Sequence, residues 1–384
     1  MPRTMASVTV IVPTYNRANY LGECLASLLA QTVAPLEILV IDDGSSDNTG
    51  ELLRGYGAPV RYFRKDNGGK PSAVNLGLKH ASGDFIWVFD DDDVALPRAI
   101  ESRLDVFGAD PSIDFVYSPH YRGRDGAQGH IAIGNLYQPA LYEGDQFFRE
   151  LMKGCFFHLG ATLIRRSAFD RIGGFDTDLL SSEDYDLQLR LAQHLRGAYC
   201  KEPSFVFRQH EGIRGSSVIR YAAKDRVKVF RRFDQAIGRR LRRDVPLTRY
   251  AEHRIEPHAA GGTATAEALL ARAVVMASKA CLSEMLEDIH TACRCMGMPA
   301  LPLPTWAREN IAQAICTEYA SAAVAADWDN FRNEMHRLIP DAGTRRPAAH
   351  AMALGVFRLL RGYPSPMSQK HTWLKLALQL RLFR

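Results

Sequence analysis

The sequence predicts an α/β protein with a Rossmann-like, mainly parallel sheet, helices on both faces of that sheet, and a mostly α-helical C-terminal region. In the first part of the chain, apolar runs of five or six residues alternate with amphipathic segments. This strand–helix alternation favours parallel strands joined by right-handed crossovers. Two of the apolar runs end in acidic clusters. Because ligands bind at the carboxyl ends of strands in open α/β sheets, these clusters mark a candidate site.

Four strands are predicted before the second acidic cluster. The clearest covers residues 85–89, five consecutive apolar residues without helical periodicity. Such a run is typical of a strand that is buried on both faces. The other three cover residues 8–12 (closed by Pro13), 36–41 and 60–64.

Helices are predicted between these strands. The first carries leucines on one face, at positions 21, 25, 28 and 29. Another covers residues 73–81, and Pro71 is compatible with its first turn. The preceding Gly68, Gly69 and Lys70 could form a phosphate cradle at a helix N-terminus, although an ordinary helix-capping loop has the same composition.

The two acidic clusters differ in the kind of ligand that they indicate. Residues 42–47 offer an acidic side chain to hydrogen-bond a ligand and a glycine for a turn. Residues 90–93 are four consecutive aspartates directly after a buried strand. These carboxylates would repel one another unless a cation shares the space, and oxygen ligands suit Mg²⁺ or Mn²⁺. A solvated acidic turn is the alternative.

Composition limits the class of protein. At 384 residues and 46% hydrophobic, the chain can hold two domains, predicted at 1–220 and 221–384. No apolar run approaches the roughly 20 residues of a membrane helix. Pro13 interrupts the first apolar run too early for a secretory signal. Seven cysteines at irregular spacings favour reduced thiols and a cytoplasmic location.

Several familiar enzyme signatures are missing from the sequence. The first strand is not followed by G-x-G-x-x-G, and Gly69-Lys70 is followed by proline rather than by the Ser or Thr of a P-loop. Neither H-E-x-x-H nor G-x-S-x-G occurs. These absences argue against a dinucleotide oxidoreductase, a P-loop kinase, a zinc protease and a serine hydrolase.

Five motifs in order carry a resemblance to a known family. They lie at residues 10–17, 41–47, 90–97 (Asp90 to Asp93, then Pro97), 171–190 (GGFD followed by ED-x-DL-x-x-R) and 207–217. Together they resemble glycosyltransferase family two over about residues 5–220. The resemblance implies an inverting transferase of the A-type glycosyltransferase fold that uses a nucleotide-sugar donor.

The resemblance implies a metal site for Mn²⁺ or Mg²⁺. Asp90 and Asp92 correspond to the D-x-D motif, with Asp92 as the direct ligand. Asp91 and Asp93 are then supporting or turn residues, and Asp91 is counted on the nucleotide side. His210 is a candidate third ligand of the metal or of the diphosphate, although a single histidine is more often structural.

The resemblance also implies a base and a nucleotide site. Asp184 is the expected base that takes the proton of the acceptor hydroxyl, with Glu183 beside it. Acids at a helix N-terminus are the structural alternative. Asp43 is expected to accept a hydrogen bond from the ring N–H of uracil or thymine. The walls of the base pocket are Pro13 and Tyr15, and Lys70 can meet a phosphate.

The predicted function is the transfer of a sugar, with inversion, from a UDP- or dTDP-sugar to a hydroxyl of a glycan or lipid-linked saccharide. The setting is bacterial-type synthesis of surface polysaccharide or glycoconjugates. The alternative is a catalytically idle scaffold of the same fold that binds nucleotide-sugar or glycan. A nucleic-acid partner is not expected, because no recognised binding motif accompanies the basic stretch 220–254. A nucleotidyltransferase would carry a glycine-rich stretch near the N-terminus, which is absent.

The last third is basic and helical in pattern. Residues 220–254 hold twelve lysines and arginines against four acids, and residues 355–384 hold six against none. Predicted helices cover 222–241, 264–296, 306–326 and 328–338, with a hinge at 261–263. The tail from Lys370 can lie on an anionic membrane surface at the inner face of the membrane, or pack in a helical bundle. The C-terminal helices could form a small bundle that caps the acceptor side, or they could form an oligomer interface. Acceptor specificity is expected in loops at 117–142 and in this region.

Overall fold

The computed structural model describes residues 6–126, 130–210, 214–215, 220–221, 226–251, 262–296 and 304–315, with residues 329, 332–333 and 336. The chain divides into two units. The first comprises Met1–Glu143 and Cys155–Arg226, and the second comprises Gly144–Gly154 and Val227–Arg384.

The strands of the described part of the chain all lie in the first unit. They are β1 Val8–Thr14, β2 Glu37–Asp42, β3 Val60–Arg64, β4 Phe85–Val88, β5 Val94–Ala95, β6 Phe115–Tyr117, β7 His120–Asp125, β8 Ile131–Tyr137, β9 Thr162–Arg165, β10 Gly197–Tyr199, β11 Phe205–Arg208, β12 Arg214–Gly215 and β13 Arg220–Tyr221.

The helices belong to both units. They are α1 Ala18–Leu29, α2 Thr49–Leu53, α3 Lys70–His80, α4 Ala99–Ala109, α5 Gly144–Lys153, α6 Ala168–Ile172, α7 Glu183–His194, α8 Arg226–Asp244, α9 Thr263–Ser278, α10 Leu282–Cys295 and α11 Thr305–Ile315. Of these, α5 and α8–α11 lie in the second unit, apart from the first residue of α8.

The central sheet has seven strands in the order β10-β6-β9-β4-β1-β2-β3. The pairs β4-β1, β1-β2, β2-β3 and β10-β6 are parallel. Only β9 runs antiparallel to its neighbours β4 and β6. The predicted mainly parallel α/β sheet, followed by a helical C-terminal region, is therefore confirmed.

Helices cover both faces of this sheet, as predicted. On one face Val10 and Val12 join a buried cluster with Leu21 and Leu25 of α1. On the other face Ile11 lies against Gly77 of α3, where an added Cβ would come within 2.5 Å of the Ile11 side chain. The alternation of the β1 side chains between the two layers is the period-two pattern of a strand.

Strand β1 does not end at Pro13, as the sequence predicted, but continues through Thr14. The Ile11 carbonyl accepts from the Phe89 N–H, and the Thr14 carbonyl accepts from the Asp43 N–H. Backbone groups of β1 therefore alternate between β4 and β2. Pro13 has no N–H to donate, and its nitrogen is on the side of β4. Because β4 ends at Val88, the sheet loses no strand-to-strand hydrogen bond at this position.

A second sheet, which the sequence did not predict, has the order β5-β11-β7-β8. The expected loop at 117–142 is largely a hairpin here, because β7 pairs antiparallel with β8. Most residues of β8 are exposed, and its sequence, IAIGNLY, does not alternate between apolar and polar residues as a half-buried strand does.

In the second unit, the described residues are mostly helical. Helix α5 comes from the middle of the chain, buries Phe148, Leu151 and Met152, and contacts α9. The basic helix predicted at 222–241 is found as α8. Arg242 of α8 and Arg272 of α9 both bind the buried Asp288 carboxylate, at 3.0 and 2.7 Å. This pairing offsets the cost of burying the Asp288 charge.

The single helix predicted over 264–296 is wrong, because α9 and α10 are separate helices. Ala280 between them has φ +56°. The Cys281 N–H donates to the Met276 carbonyl and the Ala280 N–H to the Ala277 carbonyl. These bonds end α9 in a Schellman-type turn, which usually carries glycine. With alanine there, the sequence gives no stop signal.

Other C-terminal predictions fall largely beyond the described residues. Helix α11 occupies the beginning of the predicted 306–326 segment, and the remainder of that segment, most of 328–338 and the tail from Lys370 lie outside the described part. Among the described helices, none combines the length and the apolar character needed to cross a bilayer.

Candidate active site at the carboxyl edge of the sheet

Lys70 links the aspartate run to the start of α7. Its Nζ lies 2.6 Å from Asp90 Oδ1 and 3.8 Å from Glu183 Oε1. Helix α3 begins at Lys70 because Gly69 adopts φ +86°, a left-handed conformation that glycine tolerates. Two acidic segments that are far apart in the sequence therefore share one cation.

The charges around Lys70 change its pKa and that of Glu183. Burial would lower the pKa of Lys70, but Asp90, Glu183 and Asp184 together raise it above its ordinary value. Burial and the neighbouring Asp184 raise the pKa of Glu183 to about 7, and Lys70 opposes this rise. Lys70 is therefore charged at neutral pH, whereas Glu183 is poised between its two protonation states.

Asp92 is bound by two residues from distant parts of the chain. Its Oδ2 lies 2.8 Å from an Arg17 guanidinium nitrogen and 2.9 Å from His210 Nε2. The same Arg17 nitrogen is 3.1 Å from His210 Nε2. Arg17 belongs to the first family motif, but its charge was not assigned a partner from the sequence. The structure shows it neutralising the acid expected to bind metal.

Asp91 and Asp93 lie deeper than their neighbours. Burial and Asp92 raise the pKa of Asp91 to about 7, against the opposing charge of Arg17. Burial together with Asp92 and Asp90 raises the pKa of Asp93 well above its usual range. Asp93 Oδ1 accepts the Arg208 N–H at 2.9 Å. Asp91 and Asp93 are thus buried in the turn between β4 and β5, and their roles stay a prediction.

Arg208, which the sequence analysis did not single out, anchors the aspartate turn from β11. Its Nε donates to the Asp92 carbonyl at 2.7 Å. Its remaining nitrogens form ion pairs with Glu23 and Asp125. A guanidinium side chain that is only 1% exposed thus fixes the turn by backbone and carboxylate contacts.

The side chains expected to bind metal have the ligand chemistry that a divalent ion accepts. Asp92 and His210 supply a carboxylate oxygen and an imidazole nitrogen that already converge, and Mn²⁺ accepts both. The Asp90 carboxylate is bound by Lys70. Within the part of the chain that is described, no three or more His, Cys, Asp or Glu side chains are grouped closely enough to form a complete metal site.

Asp43 organises the loop before α3. Its carboxylate accepts from Gly68 N–H at 2.9 Å and Gly69 N–H at 2.7 Å, and it pairs with Lys65 Nζ at 2.7 Å. The Asn67 side chain donates to the Asp43 carbonyl at 2.7 Å. The predicted nucleobase residue is therefore also the residue that holds the glycine loop preceding Lys70.

The loops after β1 and β2 are joined by Asn16. Its Oδ1 accepts from the Ser46 N–H at 2.7 Å and the Asp47 N–H at 3.2 Å, and its own N–H donates to Ser45 Oγ. Beside it, Tyr15 is half-buried, and Pro13 is buried within β1. Both predicted wall residues therefore lie at the same sheet edge as Asp43.

Asp184 lies in the first turn of α7. Its Oδ1 accepts from the Tyr185 N–H at 2.8 Å. The preceding Ser182 adopts φ +61°, a left-handed conformation that turns the chain sharply into the helix. The structural and catalytic interpretations of Glu183 and Asp184 are compatible, because a helix start fixes both side chains at the site.

The site contains a histidine that the sequence analysis did not identify. His158 precedes a short 3₁₀ helix, Leu159–Ala161, that leads into β9. Burial lowers the pKa of His158, although the charges of Asp90 and Asp184 oppose this change. No local motif marks His158, because the antiparallel course of β9 brings it to this edge.

The fold and the site together define a class. A mainly parallel α/β sheet whose carboxyl edge carries an aspartate run, a lysine and an acidic helix start is the arrangement of an A-type glycosyltransferase domain. Residues 9–173 match the family model Glycosyl transferase family 2. The likeness to this family therefore covers residues 9–173 of the chain.

Relatives agree with this assignment. The chain is 35% identical over 186 residues to an uncharacterized glycosyltransferase of Rickettsia typhi, covering 47% of this chain and 57% of the relative. It is 33% identical over 190 residues to a chondroitin synthase of Pasteurella multocida, covering 48% of this chain and 19% of that synthase. The chain thus spans little more than half of the length of the Rickettsia typhi relative and about a fifth of the length of the synthase.

A solved structure supports the fold. The crystal structure of S. aureus TarS residues 1–349 in complex with UDP-GlcNAc matches with a TM-score of 0.51 and 17% identity, covering 87% of this chain and 92% of that one. At this identity the likeness concerns the fold alone.

Proposed function

We propose that the protein transfers a sugar, with inversion, from a UDP- or dTDP-sugar to a hydroxyl of a glycan or lipid-linked saccharide. The observation that carries the proposal is the Lys70 bridge, with Nζ 2.6 Å from Asp90 and 3.8 Å from Glu183. It joins the acids expected near the diphosphate to the segment that holds the expected base. Leaving-group stabilisation and proton removal can then occur at one place.

Asp184 would act as the base. Inversion requires removal of the acceptor proton on the side opposite the departing diphosphate, without a covalent intermediate, which is the geometry of inverting sugar chemistry. The start of α7 holds the Asp184 carboxylate through the Tyr185 N–H. Glu183, with its pKa raised to about 7, would support the acceptor or share the proton.

Arg17 and Lys70 would bind the diphosphate. Both carry positive charge beside the aspartate run, and a leaving diphosphate gains negative charge as the glycosidic bond breaks. Mn²⁺ or Mg²⁺, held by Asp92 and His210 with Asp90, would stabilise that charge as a Lewis acid when bound.

Asp43 would read the nucleobase while it holds the glycine loop. Its Oδ2 accepts one bond from Gly69, and a carboxylate oxygen has a second acceptor position for a uracil or thymine ring N–H. The TarS structure contains UDP-GlcNAc, which favours a UDP-sugar donor here. Likeness to a chondroitin synthase favours a polysaccharide acceptor. A cytoplasmic location, with the basic tail on the inner face of the membrane, belongs to the same proposal.

The test is a thermal-shift panel of nucleotide-sugars with Mn²⁺ and with EDTA, followed by transfer assays with the donors that bind. We expect UDP-sugars to raise the midpoint in the presence of Mn²⁺ and EDTA to reduce that shift. Proton NMR of the product should show the anomeric configuration opposite to that of the donor. Absence of any shift and of any turnover across the panel would contradict the proposal, and binding without turnover would favour the scaffold alternative.

A further inference from the structure

We propose that His158 binds the acceptor sugar, donating a hydrogen bond from its Nε2–H to an acceptor oxygen beside Asp184. This inference deepens the proposed function and rests on it. It assigns an acceptor subsite of pyranose type to His158, a residue that none of the five family motifs includes.

His158 lies just before β9, at one edge of the central sheet. Strand β9 runs antiparallel to β4, with Leu163 opposite Trp87 and Arg165 opposite Phe85. The beginning of β9 therefore lies at the carboxyl edge of the parallel strands. Trp87 Nε1 donates to the Gly160 carbonyl at 2.7 Å and fixes this segment to the sheet.

A backbone hydrogen bond sets the tautomer of His158. The Gly160 N–H donates to His158 Nδ1 at 3.1 Å. Nδ1 is therefore an acceptor without a proton, so a neutral imidazole carries its proton on Nε2. Among the described residues, no hydrogen bond is made by Nε2, which leaves one oriented N–H donor available at the site.

Aromatic rings surround the imidazole of His158. The rings of His120, Phe205 and Phe207 have centroids 5.5, 5.3 and 5.1 Å from that of His158. The charges of Asp90 and Asp184 also act on His158. An N–H donor in an aromatic wall beside carboxylates suits a pyranose, which has apolar C–H faces and peripheral hydroxyls.

A hydrogen bond from α7 to the residue before His158 favours the acceptor, rather than the donor, as the ligand. Gln188 of α7 donates from Nε2 to the Phe157 carbonyl at 2.8 Å. His158 is thus tied to the helix whose first turn carries Asp184, the proposed base.

The test uses the full chain, UDP-GlcNAc and other UDP-sugars as donors, and p-nitrophenyl β-glycosides of glucose, galactose and N-acetylglucosamine as acceptors. His158→Phe keeps an aromatic ring but removes the Nε2–H and also the Nδ1 acceptor of the Gly160 N–H. We expect the acceptor KM to rise about tenfold, the effect of leaving one buried hydrogen-bonding group unpaired. The donor KM should change less than twofold. His158→Gln, which keeps an N–H donor, should recover part of the acceptor affinity.

The matched control is His80→Phe on α3, the same replacement at an exposed residue, where both KM values should stay at the wild-type level. An unchanged acceptor KM in His158→Phe, or a donor KM that rises as much as the acceptor KM, would overturn the inference while leaving the proposed function intact. A wild-type protein that turns over no donor would overturn the proposed function, and the inference with it.

Discussion

At the scale of single residues, the site is a balance between clustered acids and two cations. Lys70 and Arg17 each neutralise one aspartate of the run, and the remaining two aspartates are buried with raised pKa values. Like charges at such short range cannot all ionise without compensation. The individual carboxylates are therefore expected to behave differently when replaced.

Asp184→Asn should abolish transfer while retaining the binding of UDP. The amide preserves the shape of the side chain but cannot accept the acceptor proton, and a positioned base contributes about 10² to 10⁴ in rate. Turnover with a UDP-sugar and calorimetric titration of UDP measure the two effects. Asp170→Asn, at an exposed position on α6, is the control. Transfer at the wild-type rate in Asp184→Asn would remove Asp184 as the base.

Glu183→Gln should make stability less dependent on pH. The pKa of Glu183 is about 7 in the folded protein and near 4.5 when unfolded. An acid with a raised folded pKa favours folding below its unfolded pKa, and this contribution is lost as pH rises toward 7. The gain in Tm from Glu183→Gln should therefore be small near pH 4.5, grow up to about pH 7 and then level off.

Thermal unfolding between pH 4.5 and 8.5 tests this expectation, with Glu51→Gln on the exposed side of α2 as the control. A gain of at least about 2 °C is expected above pH 7. A gain that is the same at every pH would mean that removal of charge is not its cause.

At the scale of elements, the site depends on loops that follow neighbouring strands. Asn16 adopts φ +54°, which asparagine tolerates better than most residues, and it bonds the loop after β2. Asp43 then connects that loop to the glycines before α3. The loops after β1, β2 and β3 are thus joined by two short polar side chains.

Asn16→Ala should destabilise this part of the protein and weaken UDP binding. The replacement leaves the Ser46 and Asp47 N–H groups without their acceptor and puts alanine at a left-handed φ. Together these effects should lower the free energy of unfolding by about 2 kcal/mol. Urea unfolding and UDP titration measure them, and Asn135→Ala on the exposed strand β8 is the control. Equal stability of Asn16→Ala and the control would contradict a role of Asn16 in loop positioning.

At the scale of the whole molecule, the two units are not consecutive in the sequence. Helix α5 interrupts the α/β unit and joins the helical unit, where Phe148, Leu151 and Met152 are each at most 1% exposed. A chain cut after residue 226 keeps α5 but loses α9, against which it packs.

Such a 1–226 chain should therefore expose an apolar helix face, bind more of the dye ANS than the full chain, and be less soluble. Replacing Phe148 and Leu151 by serine in the truncated chain should reverse both effects, whereas replacing the exposed Gln146 by serine should not. A soluble truncated chain without added dye binding would show that α5 does not need the helical unit.

The sequence by itself determined the local features of this protein. Apolar runs and leucine spacing predicted β1 to β4, α1 and the class of the sheet, because strand and helix periodicity are local properties. The aspartate run, Asp43 and the acidic start of α7 were also found by sequence motifs alone. The break after Ser278 was missed because Ala280 occupies a position where glycine is the usual signal.

Only the tertiary structure decided which of these residues contact one another. Arg17 and His210 are 193 residues apart, yet both contact Asp92. Lys70 joins Asp90 to Glu183, and the antiparallel course of β9 brings His158 beside them. These contacts depend on strand order and strand direction, which are set by packing across the whole sheet. The pattern along the chain predicted a mainly parallel sheet, but it carries no information on the strand order or on the reversed direction of β9.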